Sequence, residues 1–88
     1  MTAFPTVHLN GTSGKELFEQ NRAAMEAVAK ALEAIYAAAP NKRDYYVQAD
    51  GDNAFSDARE AHFARAEMLT RIEIELEAIA LKIQEQMP

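Results

Sequence analysis

Apolar positions recur with helical spacing in the first half of the chain. The steps between them alternate between three and four residues, which is the heptad pattern of a helix packed along one side. The series consists of Phe18, Asn21, Met25, Val28, Leu32, Ile35 and Ala39. The surrounding residues are strong helix formers, and Ser13 with Glu16 matches a capping box. The pattern predicts a helix over residues 13–39, ended by Pro40, whose ring cannot continue the hydrogen-bond ladder.

A second series follows with the same spacing. It consists of Phe55, Ala58, His62, Arg65, Leu69, Ile72, Leu76, Ile79 and Ile83. It predicts a helix over residues 53–86, with Asp52 or Asn53 as the N-cap. Residues 71–78 also alternate with the period of a strand, but about thirty residues around them lack Gly and Pro, which favours a helix. Ile74, Ala78 and Leu81 then form an extra apolar edge.

These elements predict an all-α fold, an antiparallel two-helix hairpin in a single domain covering residues 1–88. Residues 1–12 form an extended N-terminal arm, and residues 40–52 form the loop. A seam that is rich in Ala buries little apolar area, and the second helix is apolar on more than one side. We therefore expect the hairpin to self-associate into a helical bundle, as a dimer or a higher homo-oligomer.

Composition excludes several classes of function. The chain has no Cys, so a disulfide scaffold and a thiolate site are excluded, and "DGDNAFSD" does not follow the order of a calcium-binding EF-hand loop. The net charge of −5 argues against a duplex nucleic acid partner. No apolar run is long enough to span a membrane and no signal-peptide pattern occurs, which predicts a soluble intracellular protein. No nucleophile–base spacing is present, so we expect no enzyme activity, no metal and no cofactor.

The first candidate site is the stretch that precedes the first helix, with His8, Asn10, Thr12 and Ser13. Asn10 and Gly11 are typical of a turn, and Ser13 is typical of a cap. The alternative is an anion or partner site, because free amides and the positive end of the dipole at a helix start attract phosphate or carboxylate groups.

The second candidate site is the loop segment "NKRDYYVQ", with Lys42, Arg43, Tyr45 and Tyr46. Arg can bind a phosphate or carboxylate through two hydrogen bonds, and Tyr offers a flat apolar face with a hydroxyl. The alternative is structural: the tyrosines cover the end of the bundle, and the two cations interact with the negative end of the first helix. A 27-residue helix is about 40 Å long, so the two candidate sites lie at opposite ends of one hairpin. In an antiparallel dimer they can form a composite site across subunits.

Three polar residues interrupt the two apolar series. Asn21 resembles the single buried Asn that fixes the register of coiled coils. His62 and Arg65 allow two interpretations. In one, the helix rotates so that Phe63 and Ala66 face inward and His62 is half exposed. In the other, His62 and Arg65 form a polar pocket inside the bundle.

The segments "VHLNGTS", "AAAPNKRDYY" and "ELEAIALKI" resemble parts of small helical accessory proteins of tailed bacteriophages and prophages. The resemblance covers most of the chain and has no enzymatic signature. It implies an inhibitor of a bacterial defence system that acts by binding in the host cytoplasm. The inhibitor sequesters a small anionic ligand such as a nucleotide signal, or it docks on a host defence protein or a phage structural partner. The Lys-Arg-Tyr-Tyr cluster favours the ligand and the negative charge favours the protein.

Overall fold

The computed structural model describes residues 3–88 and is a hairpin of two antiparallel helices. Helix α1 spans Gly14–Ala37 and helix α2 spans Gly51–Glu85, with a short 3-10 turn at Lys42–Asp44 between them. No strand occurs within the described residues, so the predicted all-α hairpin is confirmed. Met1 and Thr2 of the predicted arm lie outside the described part of the chain.

The start of α1 follows from its capping residue. The Ser13 Oγ accepts a hydrogen bond from the Glu16 amide at 3.1 Å, which is one half of the predicted capping box. Helix α2 begins earlier than the sequence predicts. Its N-cap is Asp50, so the prediction of Asp52 or Asn53 is wrong. The Asn53 side chain lies inside the first turn and donates to the Asp50 carboxylate at 3.0 Å.

Two polar contacts fix the register of the helices. The Asn21 side-chain amide donates to the Leu76 carbonyl, and the His62 Nε2 lies within hydrogen-bond distance of the Ile35 carbonyl. Ile35 lies 14 residues after Asn21, and His62 lies 14 residues before Leu76, so both contacts belong to one antiparallel register. The predicted role of Asn21 at the interhelical seam is confirmed.

The seam of α2 departs from the predicted series at Arg65 and Ile72. Ala66 and Ala80, with exposed fractions of 2% and 8%, join His62 and Ile83 as the most buried positions of the seam. Arg65 and Ile72 point outward instead, which corrects their predicted place on the seam. At these two places the seam uses the next residue along the helix, Ala66 or Glu73, while the last member of the series, Ile83, stays buried at 1% exposure.

His62 is buried and not half exposed, whereas Phe63 is 43% exposed. The rotated-helix interpretation is therefore wrong for these two residues and correct for Ala66. The alternative is correct in that His62 and Arg65 line one shallow cavity at the loop end, and wrong in that Arg65 is exposed and not inside the bundle. Since a carbonyl only accepts hydrogen bonds, the contact with Ile35 requires the proton on the His62 Nε2.

The hairpin has a thin core and a large surface. Within residues 3–88 the buried residues are His62, Ala66, Ala80 and Ile83. The chain exposes 6,733 Å², whereas a globular monomer of this mass exposes about 5,200 Å². Its radius of gyration is 19.1 Å, against about 12 Å for a compact domain of this length.

Candidate functional site

The stretch before α1 is a turn followed by a cap. The Gly11 amide donates to the His8 carbonyl at 3.2 Å, which closes the turn around Asn10. The His8 ring lies against this turn, because a Cβ added at Gly11 would come within 2.8 Å of the His8 Nε2. Ser13 caps α1, and Thr12 is exposed. The geometry expected for a turn and cap is present, and the side chains of His8, Asn10 and Thr12 remain accessible.

The N-terminal arm is held against the end of α2 by one side chain. The Gln86 Oε1 accepts from the Val7 amide at 2.8 Å, and the Gln86 Nε2 donates to the Pro5 carbonyl at 3.1 Å. The side-chain amide therefore pairs with the extended backbone as a neighbouring strand would. Met87 adds apolar contact, since its Cγ lies 3.0 Å from the position of a Cβ on Gly14. Sequence spacing gives no indication of this contact, because the partners are 79 and 81 residues apart.

The loop between the helices is packed closely onto the start of α2. A Cβ added at Gly51 would lie 2.6 Å from the Tyr45 carbonyl oxygen and 2.9 Å from the Tyr46 Cα. Tyr45 also packs on Phe55, with ring centroids 6.0 Å apart. The two tyrosines therefore differ in environment. Tyr45 is half-buried and anchors the loop, whereas Tyr46 is 68% exposed.

The two cations of the loop are accessible. The Lys42 Nζ lies 3.6 Å from the Asp52 carboxylate, and both side chains are largely exposed. An ion pair of this kind contributes about 0–1 kcal/mol, so an anionic ligand can displace it. Arg43 is exposed, and its backbone amide donates to the Asn41 side chain at 3.0 Å, which holds the 3-10 turn.

One chain does not bring the two candidate sites together. Helix α1 has 24 residues, so at 1.5 Å per residue about 36 Å separate its two ends. The pair His8 and Ser13 lies at one end of the hairpin, and the pair Arg43 and Tyr46 lies at the other. Any joint action of the two candidate sites requires a second chain.

Large apolar side chains are exposed along both flanks of α2. Ile74 and Leu81 are 60% and 53% exposed on one flank, where Leu81 lines a shallow groove with Phe18 and Met25 of α1. Met68 and Ile72 are 63% and 44% exposed on the other flank. The extra apolar edge at Ile74 and Leu81 was predicted from the sequence, whereas the flank of Met68 was not.

Comparisons with protein-family profiles, with curated proteins and with solved structures find no match to this chain. Within residues 3–88, no helix is long and apolar enough to cross a membrane. The same part of the chain holds no group of three or more acidic or His side chains arranged to bind a metal ion.

Proposed function

We propose that this chain is a non-enzymatic phage accessory protein that inhibits a bacterial defence system by binding, and that it acts as a homo-oligomer in the host cytoplasm. The observation that carries the proposal is the surface of the hairpin. The chain exposes 6,733 Å², about 1,500 Å² more than a globular protein of its mass. Exposed apolar side chains on this surface are typical of protein contacts.

The binding mode that we favour is capture of a small anionic ligand, such as a nucleotide signal, between subunits. One chain contributes the start of α1 with His8, Asn10, Thr12 and Ser13. The other chain contributes the loop with Lys42, Arg43, Tyr45 and Tyr46. Exposed Arg43 can bind a phosphate group through two hydrogen bonds, and Tyr46 can stack on a base.

A thermal-shift and calorimetry screen against cyclic and linear nucleotides tests this mode. A ligand at a hundredfold excess over its dissociation constant stabilises the fold by about 2.7 kcal/mol. For a domain of this size, that corresponds to an increase in melting temperature of about 10–20 °C. Arg43→Ala and Tyr46→Ala should abolish the shift without changing the melting temperature of the free protein. Arg71→Ala and Tyr36→Ala, at exposed positions on the helices, are the matched controls and should retain it.

A second candidate function is docking on a host defence protein or a phage structural partner. It is favoured by the tip of the loop, where Tyr46 and Val47 are 68% and 75% exposed. The net charge of −5 fits a basic protein partner. If no nucleotide in the screen binds, this function replaces ligand capture. A complex formed by the unmodified chain and lost with Tyr46→Ala and Val47→Ser would then identify the loop as the docking surface.

A further inference from the structure

Six residues form a continuous exposed line along one flank of α2. They are Ala61, Arg65, Met68, Ile72, Glu75 and Ile79, and we call this line the α2 stripe. The steps between them are four, three, four, three and four residues, so they share one helix face. All of them are exposed except Ile79, which is half-buried. The stripe has the spacing of a helix–helix contact, and α1 does not cover it.

Helix α1 carries a matching line of small residues on the same side of the hairpin. Ala24, Ala27 and Ala31 are exposed at steps of three and four, and we call them the alanine stripe. At the loop end of the hairpin, Ala38 lines one shallow cavity together with Ala61 and Arg65. Ala38 continues the alanine stripe, so the two stripes lie side by side. The groove of Met25 and Leu81 lies on the opposite side.

The α2 stripe is complementary to its own reversed copy. Three pairs are centred on Thr70: Met68 with Ile72, Arg65 with Glu75, and Ala61 with Ile79. Two α2 helices whose stripes pack antiparallel about the height of Thr70 therefore place apolar against apolar, positive against negative, and small against large.

The charged residues of the α2 stripe have no ionic partner in the described part of the chain. Among residues 3–88, neither Arg65 nor Glu75 has an oppositely charged group within 4.0 Å. The two residues are ten positions apart on one helix, which is about 15 Å, so they cannot pair within the chain. A second copy in the reversed direction supplies both missing partners at once.

The middle of the alanine stripe, near Ala27, lies at the same height along the hairpin as the middle of the α2 stripe, at Thr70. Ala27 lies six residues after Asn21, and Thr70 lies six residues before Leu76, whose carbonyl Asn21 binds. One two-fold axis therefore passes both Ala27 and Thr70. Around this axis Ala24 of one chain and Ala31 of the other lie within about one residue, 1.5 Å, of directly opposite positions, and such small side chains let two helix backbones approach closely.

From these observations we infer that two copies of the chain stack antiparallel on this face, with Arg65 of each chain paired with Glu75 of the other. The α2 stripe runs along about 27 Å of helix, from Ala61 to Ile79.

The inference rests on the self-association that is part of the proposed function. It adds which face of the hairpin forms the contact and how the two chains are aligned along it. It has a consequence for the composite site. In the antiparallel stack the start of α1 in one chain lies beside the loop of the other. Thr12 and Ser13 are then near Lys42 and Arg43 of the second copy.

Disulfide cross-linking tests the face and the register. The chain has no Cys, so the double variant R65C/E75C introduces the only two thiols. At about 15 Å apart within one chain they cannot form an intramolecular bond, which requires Cα atoms within about 7 Å. Mild oxidation should therefore link two chains. The matched control E67C/E77C has the same ten-residue spacing on the other side of α2, and it should stay unlinked.

Charge reversal tests the pairing by an independent measurement. Arg65→Glu or Glu75→Arg reverses two symmetry-related pairs at once, and each should weaken dimerisation by about tenfold or more in sedimentation velocity. The variant that carries both changes should recover the original affinity. Glu77→Arg, two positions away on the other side, should leave the affinity unchanged.

The two proposals fail in distinguishable ways. An oligomer in which R65C/E75C does not cross-link, or in which the combined charge reversal restores nothing, overturns the face assignment alone. Cross-linking of E67C/E77C in place of R65C/E75C would assign the contact between the chains to the opposite face of α2. This outcome would also overturn the face assignment alone. A chain that sediments as a monomer at micromolar concentration overturns both the face and the self-association.

Discussion

Ile83→Ala tests whether the thin seam holds the hairpin together. Ile83 is 1% exposed and is the largest fully buried side chain in the described part of the chain. The change removes three methylene-sized groups, at about 0.8 kcal/mol each for the loss of burial. The cavity that remains adds to this cost, so the expected loss is about 2.5–4 kcal/mol. Domains of this length are stable by roughly 4–13 kcal/mol, so the variant should lose a large part of its stability.

Urea unfolding followed by circular dichroism measures the loss. Ile74→Ala is the matched control, because Ile74 lies on the same helix but is 60% exposed and should cost less than about 1 kcal/mol. The midpoint should move far more for Ile83→Ala than for Ile74→Ala at an unchanged slope. Equal shifts for the two variants would show that the seam is placed incorrectly on α2.

Three further substitutions probe the contacts that sequence spacing does not reveal or reveals only in part. Gln86→Ala removes the contact with the arm, so amide exchange at Val7 should become much faster while exchange in the middle of the helices stays the same; unchanged exchange at Val7 would contradict the contact. Asn21→Ala should cost about 0.5–1.5 kcal/mol in urea unfolding through the lost interhelical hydrogen bond, and a neutral effect would argue against that bond. Gly51→Ala should lower the melting temperature, because its Cβ would meet the loop backbone at 2.6 Å. The Cβ of Gly14→Ala meets only side chains, Met87 at 3.0 Å and Val7 at 3.5 Å, and this substitution should be tolerated. Equal effects would contradict the close packing at the loop.

The local signals in the sequence predict the hairpin well. The first helix ends at Ala37, two residues before the predicted end next to Pro40, and Ser13 caps its start as predicted. The first apolar series faces α2 from Phe18 to Ile35. These features depend on neighbours within one or two turns of the same helix, and so sequence spacing can reveal them.

The seam of α2 could not be predicted in the same way. Ile72 is more apolar than Glu73, yet Glu73 is half-buried against α1 and Ile72 is exposed. The helices approach closely through Ala66 and Ala80, and this contact places Ile72 on the outer flank. Part of the second apolar series, which predicts the contact with α1, therefore belongs to the α2 stripe instead. Only the three-dimensional packing distinguishes the residues of the seam from those of the stripe.

The candidate sites were predicted as residue types, and their contacts could not be. Sequence identifies Tyr45 and Tyr46 as equivalent members of one cluster. The structure separates them, because Tyr45 packs on Phe55 while Tyr46 is exposed. The contact of the arm with Gln86 joins opposite ends of the chain, and no local pattern encodes it.

Sedimentation equilibrium of the unmodified chain at micromolar concentration tests the central claim most directly. The protomer has a mass of 9.8 kDa. Self-association through the exposed faces of the hairpin predicts a mass of twice that value or a higher multiple, falling towards the protomer mass on dilution. A well-folded species that keeps the mass of one protomer at every concentration would contradict the account.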